Sequence, residues 1–400
     1  MIEQRDIAAL HESPWYGSFA LTGGGVGLAA QLLAVPGASA TVADVRVPYA
    51  AAALRSLLGG APDHACSLGT AQAMAMAMLR NTLQLGFPEA AMAFGFALTA
   101  SLATSTAKRG QHRVHLAIHT LDQLQSYSLV LHKGARSRAE EEQLATLLGW
   151  CALAGLAGIA TRPLPLLGDE QVEPQTQVAG PGWAKLLSAE VDALEARSGA
   201  SPTAVFSGSK RLIFPGSFNP IHAGHQRMLQ LAEARTGLQA EFELCIVNVD
   251  KPPLDIASIH ARLAGLPDDR QVWLTRAGTF GAKSAVFPGA VFMLGLDTIL
   301  RIAEGRFYAN REARDHAFAT LAQRDCSFLV FPRNVGDSFL TLDDIELPAA
   351  LRTLCRPIDA SEFRVDLSST ALRQRTHSGS TEVDGAQPYA GEDPSAAGRD

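Results

Sequence analysis

Between Arg162 and Gly182, Pro163, Pro165, Pro174 and Pro181 alternate with Gly168, Gly180 and polar residues, and no hydrophobic period survives. Proline removes a backbone donor and fixes φ, so no long element is expected to run through this stretch. A chain of 400 residues interrupted there divides into units of ordinary domain size. The reading is a first unit over 1–162, a linker with a short helix over 163–200, a second unit over 201–375 and a tail over 376–400. The linker helix is predicted from Trp183 to Arg197, stopped at Gly199. The tail, made of Ser, Gly, Glu, Asp and Pro with few apolar residues, is expected to be disordered. With 47% hydrophobic residues, 18% charged residues and 35 Gly, the rest favours close-packed α/β layers over an all-β sandwich. No tandem repeat is present.

Charge and cysteine use narrow the class. The net charge is -6, from 34 basic and 40 acidic residues with no long run of either sign, so no nucleic-acid partner is expected. Cys66, Cys151, Cys245, Cys326 and Cys355 are scattered without a C-x-x-C pair, which reads as reduced thiols in a cytoplasmic protein. The opening residues lack a basic segment followed by an apolar one, so no signal peptide is expected. Leu144 to Ala160 is uncharged, but it follows Ser137-Arg-Ala-Glu140, a capping-box pattern. A buried helix is the better reading than a membrane span.

The second unit alternates short apolar runs with helical patterns. Arg211–Phe214, Phe242–Asn248, Ala290–Leu294 and Ser327–Phe331 read as strands of a doubly wound parallel sheet. After the first of them, Gly216 and Pro220 bracket a tight turn, and a helix follows over 224–234. In such a sheet ligands bind at the carboxyl ends of the strands, and a helix N-terminus there is an anion site. His222 and His225, three residues apart, project from one side of the opening turn and suit charge building on a phosphoryl group. The plain alternative is a strand-turn-helix with two surface histidines. A zinc site would need a third ligand nearby.

The whole string, Gly216-Ser-Phe-Asn-Pro-Ile-His-Ala-Gly-His225, resembles the G-x-F-x-P-x-H-x-G-H signature of the nucleotidylyltransferase superfamily. Asp366-Leu-Ser-Ser-Thr-Ala-Leu-Arg373 resembles that family's late S-S-T-x-x-R motif. Gly295-Leu-Asp297 resembles the G-x-D of nicotinamide and nicotinate mononucleotide adenylyltransferases. In that family the phosphate of a second nucleotide attacks the α-phosphorus of ATP and pyrophosphate leaves. The resemblance implies that His222 and His225 hold the ATP phosphates, and that Ser368, Ser369, Thr370 and Arg373 hold the β/γ end. It implies further that Gly216, Ser217 and Phe218 line the nucleotide cleft and that Asp297 contacts a ribose or the pyridine nucleotide. Lys251, just past the second strand, is a candidate for the acceptor phosphate or else a solvated surface lysine. Mg²⁺ would accompany ATP; no protein-held metal is expected. Trp273, Arg276 and Phe280 resemble the stretch in which pyridine-nucleotide enzymes stack the base, although Trp273 sits in an apolar run that reads equally as core.

The first unit opens with a strand, a glycine-rich turn and a helix over 18–30. Gly25-Val-Gly27-Leu-Ala-Ala30 satisfies G-x-G-x-x-A, with Asp44 available as an acidic partner, but a tight turn using Gly for packing explains it as well. Residues 13–160 resemble the CinA-type nicotinamide mononucleotide amidohydrolase domain, through Val35-Pro-Gly-Ala-Ser39, Val47-Pro-Tyr49 and Ala97-Leu-Thr-Ala100. The family's serine nucleophile corresponds to Ala20, its neighbouring Glu to Phe19 and its lysine to Leu54. A methyl group cannot attack an amide, so the domain reads as non-hydrolytic. Thr22, Gly23, Gly24, Tyr49 and Thr99 survive as a second candidate site, retained either for a ligand or for packing.

The expectation is an α/β protein of two domains: a CinA-like layer domain and a Rossmann-like doubly wound domain of the nucleotidylyltransferase type. Its expected partners are ATP and a small phosphate-bearing acceptor, with no membrane and with room for a homo-oligomer. The leading acceptor is a nicotinamide or nicotinate mononucleotide-like phosphate. Another acceptor, CTP as donor, or a non-catalytic nucleotide sensor or scaffold are the alternatives.

Overall fold

The computed structural model describes residues 2–87, 89–105, 109–201, 210–247, 252–335 and 338–364. Lys251, Ser368, Ser369, Thr370, Arg373 and the expected tail lie outside the described residues.

The first domain runs α1 (Gln4–His11), β1 (Tyr16–Thr22), α2 (Gly27–Leu33), β2 (Val42–Arg46), α3 (Ala51–Leu58) and α4 (Leu68–Gln84). It continues through β3 (Ala93–Ser101), β4 (His112–His119), β5 (Gln123–Leu131), α5 (Arg138–Leu156) and β6 (Val172–Val178). These strands form one sheet in the order β2-β1-β3-β4-β5-β6, parallel around β1 and antiparallel from β3 onward. Every residue of β1 is buried because both sheet faces are covered. Phe19 and Leu21 face α1, α2 and α5, whereas Ala20, Ala97 and Ala117 face α4. The small residues permit that closeness: a Cβ on Gly95 would lie 2.0 Å from the Ala75 carbonyl oxygen of α4. Ser137 and Glu140 form the anticipated capping box on α5, and Leu144, Leu148 and Leu153 pack its buried face.

The proline-rich stretch is more ordered than a linker. Its middle adds β6 to the open edge of the first sheet, where Pro174 pairs opposite Tyr127 and most side chains face solvent. An edge strand tolerates a missing donor, and so the proline signal did not exclude it. The helix predicted over 183–197 is only α6 (Trp183–Leu187), because Ala189 turns to a φ of 68° just after it. The chain then forms β7 (Ala193–Glu195).

The second domain runs β8 (Leu212–Pro215), α7 (Ala223–Thr236), β9 (Ala240–Cys245), α8 (Ile256–Ala264), β10 (Val272–Thr275) and α9 (Phe280–Val286). After these come β11 (Val291–Gly295), α10 (Leu296–Ala303), α11 (Arg311–Gln323), β12 (Ser327–Phe331), β13 (Arg333–Val335), β14 (Ser338–Leu340), α12 (Ala349–Arg352) and β15 (Cys355–Pro357). Its sheet has the order β15-β12-β11-β8-β9-β10-β7, with only β7 antiparallel to its neighbour. Apart from that edge strand, this is the strand order of a Rossmann-like doubly wound sheet. Its direction of winding reverses between β8 and β11, so a crevice opens at their carboxyl ends.

The two domains share a seam. One apolar cluster joins Ala73 and Met76 of α4 to Leu186, Leu187, Ile256 and Ile259. None of the five cysteines forms a disulfide, and burial raises the thiol pKa of Cys245, of Cys326 and of Cys355, the last to about 12. No helix among the described residues is long and apolar enough to cross a membrane.

Candidate functional site

The turn after β8 owes its shape to aromatic packing. Phe218 takes a φ of 43° and folds its ring back over Gly216, whose Cβ would lie 2.5 Å from that ring. The ring is buried edge-on against Phe214 and Phe242, each with centroids 5.0 Å away. Phe218 therefore anchors the turn from inside and does not line the cleft, as had been anticipated for it. Gly216 is held by its N–H to the Glu243 carbonyl at 3.1 Å. The Ser217 carbonyl accepts from Arg262 Nε at 3.0 Å.

The turn delivers His222 to the N-cap of α7 and His225 to its first turn. The two rings stack with centroids 3.8 Å apart and planes 28° from parallel. The His222 N–H donates to His225 Nδ1 at 3.2 Å, so a neutral His225 carries its proton on Nε2. Both ring nitrogens of His222 are buried without a hydrogen-bond partner. Buried polar atoms are normally satisfied, and an imidazole beside a helix N-terminus with both nitrogens unpartnered is suited to a polar ligand.

A residue that sequence reasoning passed over completes this cluster. Arg333, at the start of β13, lines the same pocket as His222, Gly224, His225, Gly295 and Phe363. Burial lowers the pKa of His222, with Arg333 adding to the effect. Burial, His222 and Arg333 together lower that of His225 to about 3. The imidazoles are thus neutral near pH 7, and the fixed positive charge comes from the guanidinium. Asp297, in the first turn of α10, lies 3.5 Å from Arg333 Nε and is about half exposed. Gly295 allows that approach, since a Cβ there would meet Asp297 Oδ1 at 2.6 Å and Arg333 Nη1 at 3.3 Å. The signal for Arg333 was weak because it lies far along the chain from the histidines; only the strand order brings β12, and with it the chain leading into β13, beside β11.

Gly216, Ser217, His222, His225 and Asp297 thus gather around the carboxyl ends of β8 and β11. Phe363 lines the pocket only three residues before Asp366, where the Ser/Thr/Arg motif begins. Trp273 is core: it is fully buried, its Nε1 donates to Glu241 at 2.6 Å, and Arg211 covers its face at 4.7 Å. Phe280 packs edge-on against Phe292 and Phe328, and Arg276 donates to the Leu186 carbonyl at 3.2 Å. Trp273 therefore presents no free stacking face, while Phe280 and Arg276 are half-buried.

In the first domain the second candidate site is already filled by the protein itself. The Gly25 and Gly27 N–H groups donate to the Glu142 carboxylate at 2.8 and 3.3 Å. Gly23, at a φ of 74°, gives its carbonyl to Arg138 at 2.9 Å. A Cβ on Gly24 would meet the Leu102 side chain at 2.6 Å. Thr22 and Thr99 hydroxyls bond the carbonyls of Pro48 and Ala65 at 3.0 and 2.8 Å. Tyr49 faces solvent, and Asp44 is engaged by Arg46 and Asn81. Ala20 and Leu54 are buried apolar residues. A larger cleft between α1, α5 and residues 159–167 holds Arg162, Arg5 and Arg136, each already paired with a carboxylate.

Among known families, residues 213–277 match the cytidylyltransferase-like family. Residues 213–277 of the second domain accordingly belong with the nucleotidyltransferase superfamily, which supports a nucleotidylyltransferase enzyme. No curated protein matches the chain. Among solved structures, the chain is similar to the competence/damage-inducible protein CihA from Agrobacterium tumefaciens, with 22% identity over 38% of this chain and 92% of that one, at a TM-score of 0.31. It is similar also to the competence damage-inducible protein ComA from Klebsiella pneumoniae, with 21% identity over 39% of this chain and 92% of that one, at a TM-score of 0.30.

Proposed function

We propose that this nucleotidylyltransferase transfers AMP from ATP to the phosphate of a nicotinamide or nicotinate mononucleotide-like acceptor. An acceptor phosphate oxygen forms the new bond to the α-phosphorus, the α–β bridging bond breaks, and pyrophosphate leaves with that bonding pair. The observation that carries the reading is the pair of stacked neutral imidazoles at the α7 N-terminus, with two orphaned nitrogens and Arg333 alongside. Neutral donors and one fixed cation can hold phosphoryl oxygens as charge redistributes, which is catalysis by alignment and electrostatics without a covalent intermediate.

In this reading His222 and His225 bind the ATP phosphates, Gly216 and Ser217 border the cleft, and Asp297 contacts a ribose or the pyridine nucleotide. Ser368, Ser369, Thr370 and Arg373 take the β/γ end, and Lys251 the acceptor phosphate. Among the described residues there is no group of three His, Cys, Asp or Glu that could hold a metal. Mg²⁺ would arrive on the triphosphate. Residues 1–162 and 201–375 act as the two functional units of a cytoplasmic protein, the first without hydrolytic activity.

A second reading, cytidylyl transfer from CTP, is favoured by the match of residues 213–277 to the cytidylyltransferase-like family. The test incubates the protein with Mg²⁺, ATP or CTP and each candidate acceptor, and measures pyrophosphate and dinucleotide. ATP-dependent product with the mononucleotides supports the first reading, and CTP-dependent product the second. Measurable nucleotide binding without turnover on any acceptor would leave a sensor or scaffold.

A further inference from the structure

Helix α8 links the two domains and touches the signature turn. Its N-cap, Asp255, is buried and accepts from the Ser258 N–H and Oγ at 2.8 and 2.9 Å. The first amide of the helix, Ile256 N–H, points into the first domain and donates to Nε2 of His119 at 3.4 Å. His119 ends β4 and is fully buried. Its Nδ1 lies 2.7 Å from the Thr120 carbonyl, which can only accept, so Nδ1 carries the proton and Nε2 offers a lone pair. Donor and acceptor are therefore matched across the domain seam by a single tautomer.

The far end of α8 reaches the turn. Arg262 donates through Nη1 to the Ser258 carbonyl at 2.7 Å and through Nε to the Ser217 carbonyl at 3.0 Å. The middle of the helix is held by His260, whose ring meets Trp183 edge-on at 5.1 Å. Meanwhile the first domain's own glycine turn is closed by Glu142. Its remaining polar reach toward the second domain thus includes this contact with α8.

We propose that the first domain is a positioning brace: His119 fixes the start of α8, and Arg262 transmits that placement to the Ser217 carbonyl and so to the turn that presents His222. His119 and Arg262 are positioning residues, and neither touches the pocket that holds His222 and His225. The effect on ligand affinity rests on the reading of that pocket as a nucleotide site; the effect on the turn does not.

The experiment compares full-length wild type with His119→Leu, His119→Gln and Arg262→Met. Hydrogen exchange of residues 216–225 is followed without ligand, and ATP affinity is measured by calorimetry. Loss of one buried hydrogen bond is expected to speed exchange of the turn about fivefold in His119→Leu and Arg262→Met, and to weaken ATP by a similar factor. His119→Gln, which keeps an acceptor, is expected to restore both to within about twofold. Folded His119→Leu with wild-type exchange in the turn would overturn the brace, whatever Arg262→Met shows. Should His119→Leu fail to fold, His119→Ala takes its place, because Arg262→Met breaks a bond within the second domain. Faster exchange in variants of a wild type that binds no ATP would uphold the brace and remove the nucleotide reading.

Discussion

The backbone N–H of His222 donates to Nδ1 of His225, while both ring nitrogens of His222 are buried and unpartnered. His225 accepts the N-cap amide of α7 and packs edge-on against Phe214 and Phe218, so its removal costs some stability as well as a donor. His225→Ala is expected to stay folded with a modestly lower melting temperature and to lower turnover at least about a hundredfold, as for loss of a transition-state donor. Pyrophosphate release and a thermal melt check this together. Unchanged turnover would take His225 out of the mechanism.

The depressed pKa of His225, about 3, sets a pH dependence. The unfolded chain takes up a proton near the ordinary histidine value, about 6.5, while the folded imidazole does not. This group costs nothing above that value, and stability is lost as pH falls from there toward about 3. The limiting slope from His225 is about 1.4 kcal/mol per pH unit. Urea unfolding between pH 7 and pH 5 is expected to show a shallower loss for His225→Asn than for wild type. Parallel curves would count against the shift.

Arg333 contributes to depressing both histidines, so removing it should let them rise. In Arg333→Met the imidazole titrations, followed by NMR, are expected to move upward, and ATP affinity to fall about tenfold with the loss of a charge-assisted contact. Gly295→Ala should weaken ATP in the same direction, because a Cβ there crowds Asp297 and Arg333. Wild-type affinity in both variants would show that the guanidinium does not serve the ligand.

The string from Gly216 to His225 was legible because a short motif encodes its own strand, turn and helix. The Ser327–Phe331 strand was legible in full for the same local reason. Arg333 was not, because its place beside the histidines depends on the order of strands that are distant in sequence. Trp273 misled because an indole packed under Arg211 and one stacked on a ligand look alike in an apolar run. Phe218 misled because a motif position says which residue is needed, not whether its ring faces the cleft or the core. Glu142 gave no signal at all: a carboxylate on an amphipathic helix looks solvated until the glycine turn is seen against it.

A serine in place of Ala20 should not confer amide hydrolysis. Ala20 lies fully buried in β1 beneath α4, and Leu54 supplies no amine. Ala20→Ser would place a hydroxyl among apolar side chains with no base to activate it. Ammonia release from nicotinamide mononucleotide is expected to stay at background, and release above background would contradict this placement.

The carboxylate in the glycine turn makes a last, opposite prediction. Glu142 accepts from two backbone N–H groups that the turn would otherwise leave without protein acceptors, next to the start of α2. Glu142→Ala is expected to cost about 1–3 kcal/mol of unfolding free energy, the penalty for stranding partly buried donors. Urea unfolding reads the effect. A variant as stable as wild type would mean that water serves those amides equally well and that Glu142 closes nothing.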